Sequence, residues 1–379
     1  MSTGVPTALA GEIRPALPAS RQRLTSLDWA RGVMVLLNLV VISVLPPSPR
    51  QLRHADWLGV TVFDIVFPLF VCLSGCGLAF AYSRRVSAWV TARRVSVLLV
   101  AGLLYNSVFL LGDGSLATLR VTGPLQVYAV LVLVIALAHL VLRTLRDWIV
   151  VTVVACLTWS GLFWAGHQVL AGGTPTRDAN LSRAVDLRLL PADQLYRQGE
   201  LGHDPEGLIV ITGALVTMLV GVVAGKLLLR RGVDTARMLV DLSLWTVGVL
   251  LLGLATMVFI EPFKRLWTPS FALLTAVVAL MLLVLGFLLH DQPQGPRWWL
   301  SVRDAAAQPF VAMGRNALVL YFGSHLSLIA LSSFPGETQL LAMFSWAWGS
   351  PRTAFAVVFV LGWFALAWAL HRKRIYIHA

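Results

Sequence analysis

Apolar residues fall in ten runs, at 26–45, 58–82, 92–112, 124–144, 147–168, 208–230, 238–260, 266–290, 308–331 and 353–371, and polar segments separate them. Each run is close to the roughly 20 residues that a helix needs to cross about 30 Å of hydrocarbon. A backbone in lipid must satisfy its own hydrogen bonds, so the pattern predicts helices throughout. The expected fold is all-α, a polytopic membrane helical bundle of about ten transmembrane helices. Residues 1–23 are rich in Ala, Pro, Ser and Arg, show no apolar core or cleavable signal, and read as a mobile tail ahead of one domain over 24–379. The segment 169–207 breaks the pattern. It holds Asp178, Asp186, Asp193, Glu200, Asp204 and Glu206, and it alternates apolar positions at Leu187, Leu189, Leu190 and Leu195 around Pro191. A loop of this length is usually functional or disordered; this one reads as a folded external cap with a short helix.

Composition narrows the class. The chain is 58% hydrophobic and only 13% charged, against the roughly 25% charged residues of soluble domains, which excludes a soluble enzyme, a disordered chain and a disulfide scaffold. A formal charge of +12 would suggest nucleic acid in a soluble protein. Here the cations sit at the ends of apolar runs, as topology signals do. With the N-terminus inside, 19 of the 30 Lys and Arg fall on the inner side and ten outside, four of those ten in 169–207. Both termini are therefore expected in the cytoplasm. Cys72, Cys76 and Cys156 lie inside apolar runs and read as packing residues, with neither a disulfide nor a metal site implied. No internal repeat is visible, which counts against a transporter built from inverted halves.

Polar residues inside spans are costly and mark a buried pair or a site. Asp28 and Arg31 open the first span, three apart and on one face, where a local ion pair is the simplest reading. Asp241 and His139 lie near span ends, and Arg315, Asn316 and His325 fall in the ninth span. Asp64 lies about two turns into the second span, with no sequence neighbour to neutralise it. It must find a partner in the bundle: Arg315, a histidine or water. His54 stands just before that helix, in the first external loop. A histidine there is either an ordinary surface residue or a general base oriented by a buried carboxylate.

A longer pattern favours the second reading. Arg23-Leu24-Thr25-Ser26-Leu27-Asp28-Trp29-Ala30-Arg31-Gly32 resembles the R-L-x-S-L-D-x-x-R-G opening of several transmembrane acyltransferase groups. The stretch from His54-Ala55-Asp56-Trp57 through Gly59, Thr61 and Asp64 to Val66-Phe67-Pro68-Leu69-Phe70-Val71 resembles the H-A-x-W-x-G-x-T-x-x-D-x-V-F-P-x-F-V signature of the heparan-α-glucosaminide N-acetyltransferase family. Weaker matches follow in family order at Arg120-Val121-Thr122-Gly123-Pro124-Leu125-Gln126, Asp204-Pro205-Glu206-Gly207 and Gly314-Arg315-Asn316-Ala317-Leu318-Val319-Leu320-Tyr321, so the resemblance covers roughly 23–331.

The resemblance implies a transmembrane acyltransferase domain over 24–379, a homologue from a bacterial plasma membrane, in which the extra luminal domain and leading helix of the animal enzymes have no counterpart. It implies acetyl-CoA, or another acyl-CoA, as donor from the cytosolic side. The acceptor would be an amine or hydroxyl of an extracytoplasmic sugar or envelope glycan. No nucleic acid and no metal are implied, and a homodimer is possible by analogy. His54 takes the family's catalytic place, with Asp64 holding or charge-balancing its ring. Asn316 and Gln126 are candidates to donate to a developing oxyanion. Arg31, Arg84, Arg85 and Arg315 are candidates for holding CoA, together with the Arg93/Arg94 pair; for the loop arginines a pure topology role competes. Two positions depart from the family: Ile42 and Ser43 stand where an asparagine is expected, and Ser324, followed by His325, stands where a histidine is expected. A transporter or flippase, and a silent member of the same fold, remain as rivals.

Overall fold

A computed structural model describes residues 24–108, 116–231, 234–291, 295–346 and 350–377. The tail expected at 1–23 lies outside the described residues. Among those residues the chain is helical, with no strand. The helices are α1 (Thr25–Ser43), α2 (Val66–Ala81), α3 (Ala88–Ser107), α4 (Pro124–Val141), α5 (Leu145–Ala171), α6 (Leu181–Leu189), α7 (Leu208–Leu228), α8 (Thr235–Phe259), α9 (Pro269–Gly286), α10 (Arg297–Arg315), α11 (Ala317–Leu331), α12 (Glu337–Ala342) and α13 (Pro351–Arg372). Nine of them, α1–α5, α7–α9 and α13, are long and apolar enough to cross a membrane.

Local chemistry starts the helices where the apolar runs begin. Thr144 and Asp147 form a reciprocal capping box at α5, Asp234 caps α8, and Thr268 and Ser350 cap α9 and α13, each followed by proline at the first helical position. α2 and α7 make the buried centre, while α3, α5, α8 and α13 form the outer ring with large apolar side chains exposed, as lipid contact requires. Small residues set the closest approaches: a Cβ on Gly75 would overlap the Met218 carbonyl of α7, and one on Gly221 would overlap the Cys72 carbonyl of α2.

The ninth apolar run is two helices rather than one. α10 is an amphipathic helix that packs along α1, and the chain breaks at Asn316 before α11. The Asn316 side chain explains the break. Its Nδ2 donates to the Ile375 carbonyl at 3.1 Å and its Oδ1 accepts from the Ile377 amide at 2.9 Å, so the segment after α13 is docked into the junction. α11, with 15 residues, is apolar but shorter than those nine, and a wide turn over Ser332–Gly336 leads from it to α12.

The segment 169–207, called the cap below, carries one short α-helix, α6. Asn180 caps α6 and ties it to the carbonyls of Thr176, Arg177 and Gly202.

Candidate active site

The loop carrying His54 is clamped from three sides. Trp57 Nε1 donates to the Pro175 carbonyl of the cap at 2.9 Å, and its ring packs edge-on against His203 and Phe263. Gly59, at φ +93°, pairs with Phe263. The Thr61 hydroxyl lies 2.6 Å from the Arg53 carbonyl and donates to it.

This clamp brings His54 onto Asp64. His54 Nδ1 lies 2.8 Å from Asp64 Oδ1, while Asp64 Oδ2 accepts from the Ala55 amide at 3.1 Å and the Thr61 amide at 3.0 Å. Of the partners expected for Asp64, the histidine is the one found. Its carboxylate can only accept, so the imidazole carries its proton on Nδ1 and leaves the Nε2 lone pair free. Phe63 stacks on the ring at 3.9 Å between centroids and fixes its plane. The His54 side chain is 39% exposed, and it opens into a cavity of about 660 Å³.

That cavity, the outer one in the orientation expected from the charge bias, is walled by Phe67, Tyr105, Asn106, Arg120, Tyr196, Glu206, Lys264, Arg265, Tyr321, Phe322 and His325, with the exposed Asp193, Arg197 and Glu200 of the cap along its rim. Burial and then Lys264 depress the His54 pKa, with a smaller contribution from Arg265; Asp64 opposes them, and the balance falls at about 4. His54 is therefore a neutral base at ordinary pH. Burial likewise lowers the Lys264 pKa.

The cap closes the cavity through a buried ion network. Arg120 Nη2 donates to Asp204 Oδ1 at 2.5 Å and to Glu206 Oε2 at 2.6 Å, and its guanidinium lies over the Tyr196 ring. Burial opposes its charge, but Glu206 and Asp204 outweigh burial and raise its pKa. Asp204 accepts from Thr122 and from the Tyr196 amide. Two of the weaker motif matches, 84 residues apart, thus meet as one cluster.

A second cavity of about 530 Å³ opens at the other end of the bundle. Asp28, Arg31, Arg94 and Arg315 supply its charge, with Phe70, Ser74, Gly77, Tyr128, Leu318 and Ile377 among its walls. Arg31 Nη2 donates to the Leu73 carbonyl at 3.2 Å. Asp28 is engaged by Arg315 Nε at 3.3 Å, from 287 residues away, and Arg315 Nη1 donates to the Tyr376 hydroxyl at 2.8 Å. The expected Asp28–Arg31 partnership therefore yields to a long-range contact that ties α1 to the α10–α11 junction.

The remaining expected residues are placed elsewhere. Arg84 and Arg85 are exposed on the turn after α2 and line neither cavity, whereas Arg94 does line the inner one. Gln126 also lines neither cavity, and its amide lies against Gly102 and Gly123. Asn316 is occupied by the 375–377 segment at the inner end, so it is not brought together with His54. Ser324 faces Asn38, whose Nδ2 donates to it at 3.3 Å, while His325 reaches the outer cavity. Among the walls that sequence reasoning passed over are Lys264 and Arg265, counted only as flanking charges, and the aromatic side chains of α2, α3 and α11.

No family model matches the sequence. The chain is 24% identical to the heparan-alpha-glucosaminide N-acetyltransferase of Homo sapiens over 97% of its length, and 22% identical to that of Mus musculus over 94%. It is similar to N-acetyltransferases. It covers 62% and 61% of the lengths of those two relatives. The similarity runs across almost the whole chain, and it is to the same family that the motifs resemble.

Proposed function

We propose that this protein transfers an acetyl or other short acyl group from CoA, bound in the inner cavity, to an amine or hydroxyl of a sugar or envelope glycan bound in the outer one. The observation that carries the reading is the His54–Asp64 pair, whose free imidazole nitrogen faces a cavity large enough for a sugar. Nε2 takes the proton of the acceptor amine or hydroxyl as that atom attacks the thioester carbonyl. The new C–N or C–O bond forms, the C–S bond breaks, and the imidazolium returns its proton to the leaving thiolate. Asp64 orients the ring and stabilises its transient charge. Transfer through an acetyl-imidazole uses the same two groups in two steps.

The inner cavity suits the nucleotide end of the donor. Arg31, Arg94 and Arg315 offer guanidinium groups to phosphate. Gly77 of α2 and Asp64 of the 3-10 turn that leads into it are thirteen residues apart along one helical run, about 20 Å at roughly 1.5 Å per residue, which matches the reach of an extended phosphopantetheine arm. The deciding experiment supplies acetyl-CoA and glucosamine-type acceptors to purified protein and follows free CoA thiol and acetylated product. Wild type should release both in equal amounts, and His54→Ala neither. Paired cavities at opposite ends would also suit a transporter; substrate movement without thiol release selects that reading instead.

A further inference from the structure

One face of α2 and the 3-10 turn before it walls both cavities in sequence: Phe63, Asp64 and Phe67 on the outer side, then Phe70, Ser74 and Gly77 on the inner. The change from one cavity to the other takes three residues, about 4.5 Å of helix rise. α11 makes the same change between Tyr321, outer, and Leu318, inner. The two cavities are thus separated by a layer about one side chain thick.

That layer is aromatic. Phe70 lies against Tyr321 with centroids 6.0 Å apart and planes at 24°, against Phe67 at 6.4 Å and 13°, and edge-on to Tyr128 at 5.1 Å. Phe70 and Tyr321 are buried, 6% and 8% exposed. Their contacts are dispersion and ring-edge contacts, and among the described residues no hydrogen bond or ion pair joins one of these rings to another, so a rotamer change breaks no strong interaction. A flat ring that turns about χ1 opens a narrow slot, which fits an unbranched chain and not a sugar.

We propose that Phe70 and Tyr321 form a movable aromatic septum that admits only a thin acyl-bearing chain and so sets both the acyl length the protein accepts and the seal between its two cavities. The length-selection half rests on the acyl-transfer reading; the seal does not.

The seal is tested by reaction of a thiol in the Ser74→Cys variant, on the inner side of the layer, with a membrane-impermeant reagent confined to the His54 side of sealed vesicles. The parent protein, with its three buried cysteines, is the background control. The Ser74→Cys thiol should label slowly from the His54 side and quickly from the opposite side. Adding Phe70→Ala should raise the slow rate by on the order of tenfold; Phe70→Leu serves if that variant does not fold. Equal labelling from both sides with the rings intact, or no increase in folded Phe70→Leu, overturns the septum whether or not the protein transfers acyl groups. For length selection, Phe70→Ala should raise turnover of hexanoyl-CoA relative to acetyl-CoA by on the order of tenfold or more, since single methylenes are discriminated by that much in a fitted channel. Phe70→Trp should keep the acetyl-CoA-induced rise in Tm and lose transfer. An unchanged chain-length ratio in folded Phe70→Ala overturns the length-selecting role.

Discussion

Replacing Asp64 separates the scaffold from the chemistry. The carboxylate is 1% exposed and holds two backbone amides, Ala55 and Thr61, besides the His54 ring. Asp64→Ala leaves both amides without an acceptor. A buried, unsatisfied N–H costs about 1–3 kcal/mol, and the Ala55 amide, only half-buried, falls at the low end. Losing the imidazole hydrogen bond adds about 1 kcal/mol, kept low because the ring is 39% exposed and screened. The sum is about 3–5 kcal/mol, a large share of the 5–15 kcal/mol typical of a folded domain. Asp64→Asn keeps an amide carbonyl at the same place and can hold the backbone N–H groups, so about 1–2 kcal/mol is expected. His54→Ala removes only the exposed partner and should cost about 1 kcal/mol.

Thermal unfolding in one detergent, at one pH, should therefore rank wild type above His54→Ala, then Asp64→Asn, then Asp64→Ala. Acyl transfer should follow a different order, with His54→Ala as inactive as Asp64→Ala although far more stable. That inversion is the signature of a base held by a structural carboxylate. An Asp64→Ala protein that melts with wild type, or a His54→Ala protein as unstable as Asp64→Ala, would falsify the assignment of the loop's fold to Asp64.

Three further outcomes are expected. Because burial and Lys264 hold the His54 pKa at about 4, below the usual 6.5, the folded protein keeps the ring neutral while the unfolded chain takes up a proton as pH falls from 6.5 towards 4. Stability should decline through that window, the acid limb of the transfer rate should lie below pH 6.5, and Lys264→Met should move that limb upward; a limb unmoved by Lys264→Met sinks the electrostatic account. Acetyl-CoA at a hundred times its Kd should stabilise the protein by about 2.7 kcal/mol, with Arg31→Gln and Arg94→Gln weakening the Tm shift and Arg84→Gln and Arg85→Gln leaving it intact; the reverse pattern removes CoA from the inner cavity. A cysteine replacing Arg53 should react with an impermeant reagent from outside the cell and one replacing Arg85 should not, and reversed labelling overturns the orientation.

The sequence predicts the helical class because lipid leaves few alternatives, and hydropathy locates the crossings because each run is long enough to be counted. The break at Asn316 escapes a hydropathy reading because apolar stretches flank Arg315 and Asn316 closely on both sides and average to a single run. Its cause is a side chain bound to Ile375 and Ile377, about sixty positions away, and no local pattern records that. Asp28 and Arg31 show the same limit. Their spacing suggests a local pair, and spacing is blind to Arg315, which reaches Asp28 from the far end of the chain. His54 and Asp64 were legible together because one loop and one helix start hold both. Lys264 and Arg265 were not, since two cations beside a span look like topology whether or not a cavity lies beneath them.

The arginines sharpen that distinction. Arg84 and Arg85, and Arg93 and Arg94, are adjacent pairs flanking spans on the side that the charge bias assigns to the cytoplasm, alike by every sequence criterion. Of the four only Arg94, in α3, lines the inner cavity. Arg31 arrives from α1 and Arg315 from the α10–α11 junction, so the charge of the inner cavity is assembled from three separate elements. The His54–Asp64 pair of the outer cavity is built in the opposite way, from residues ten apart, although the walls around it come from many elements. A sequence motif can spell out the second kind of site and not the first. For this reason the resemblance is strongest around His54, and the donor end has to be read from the cavity itself.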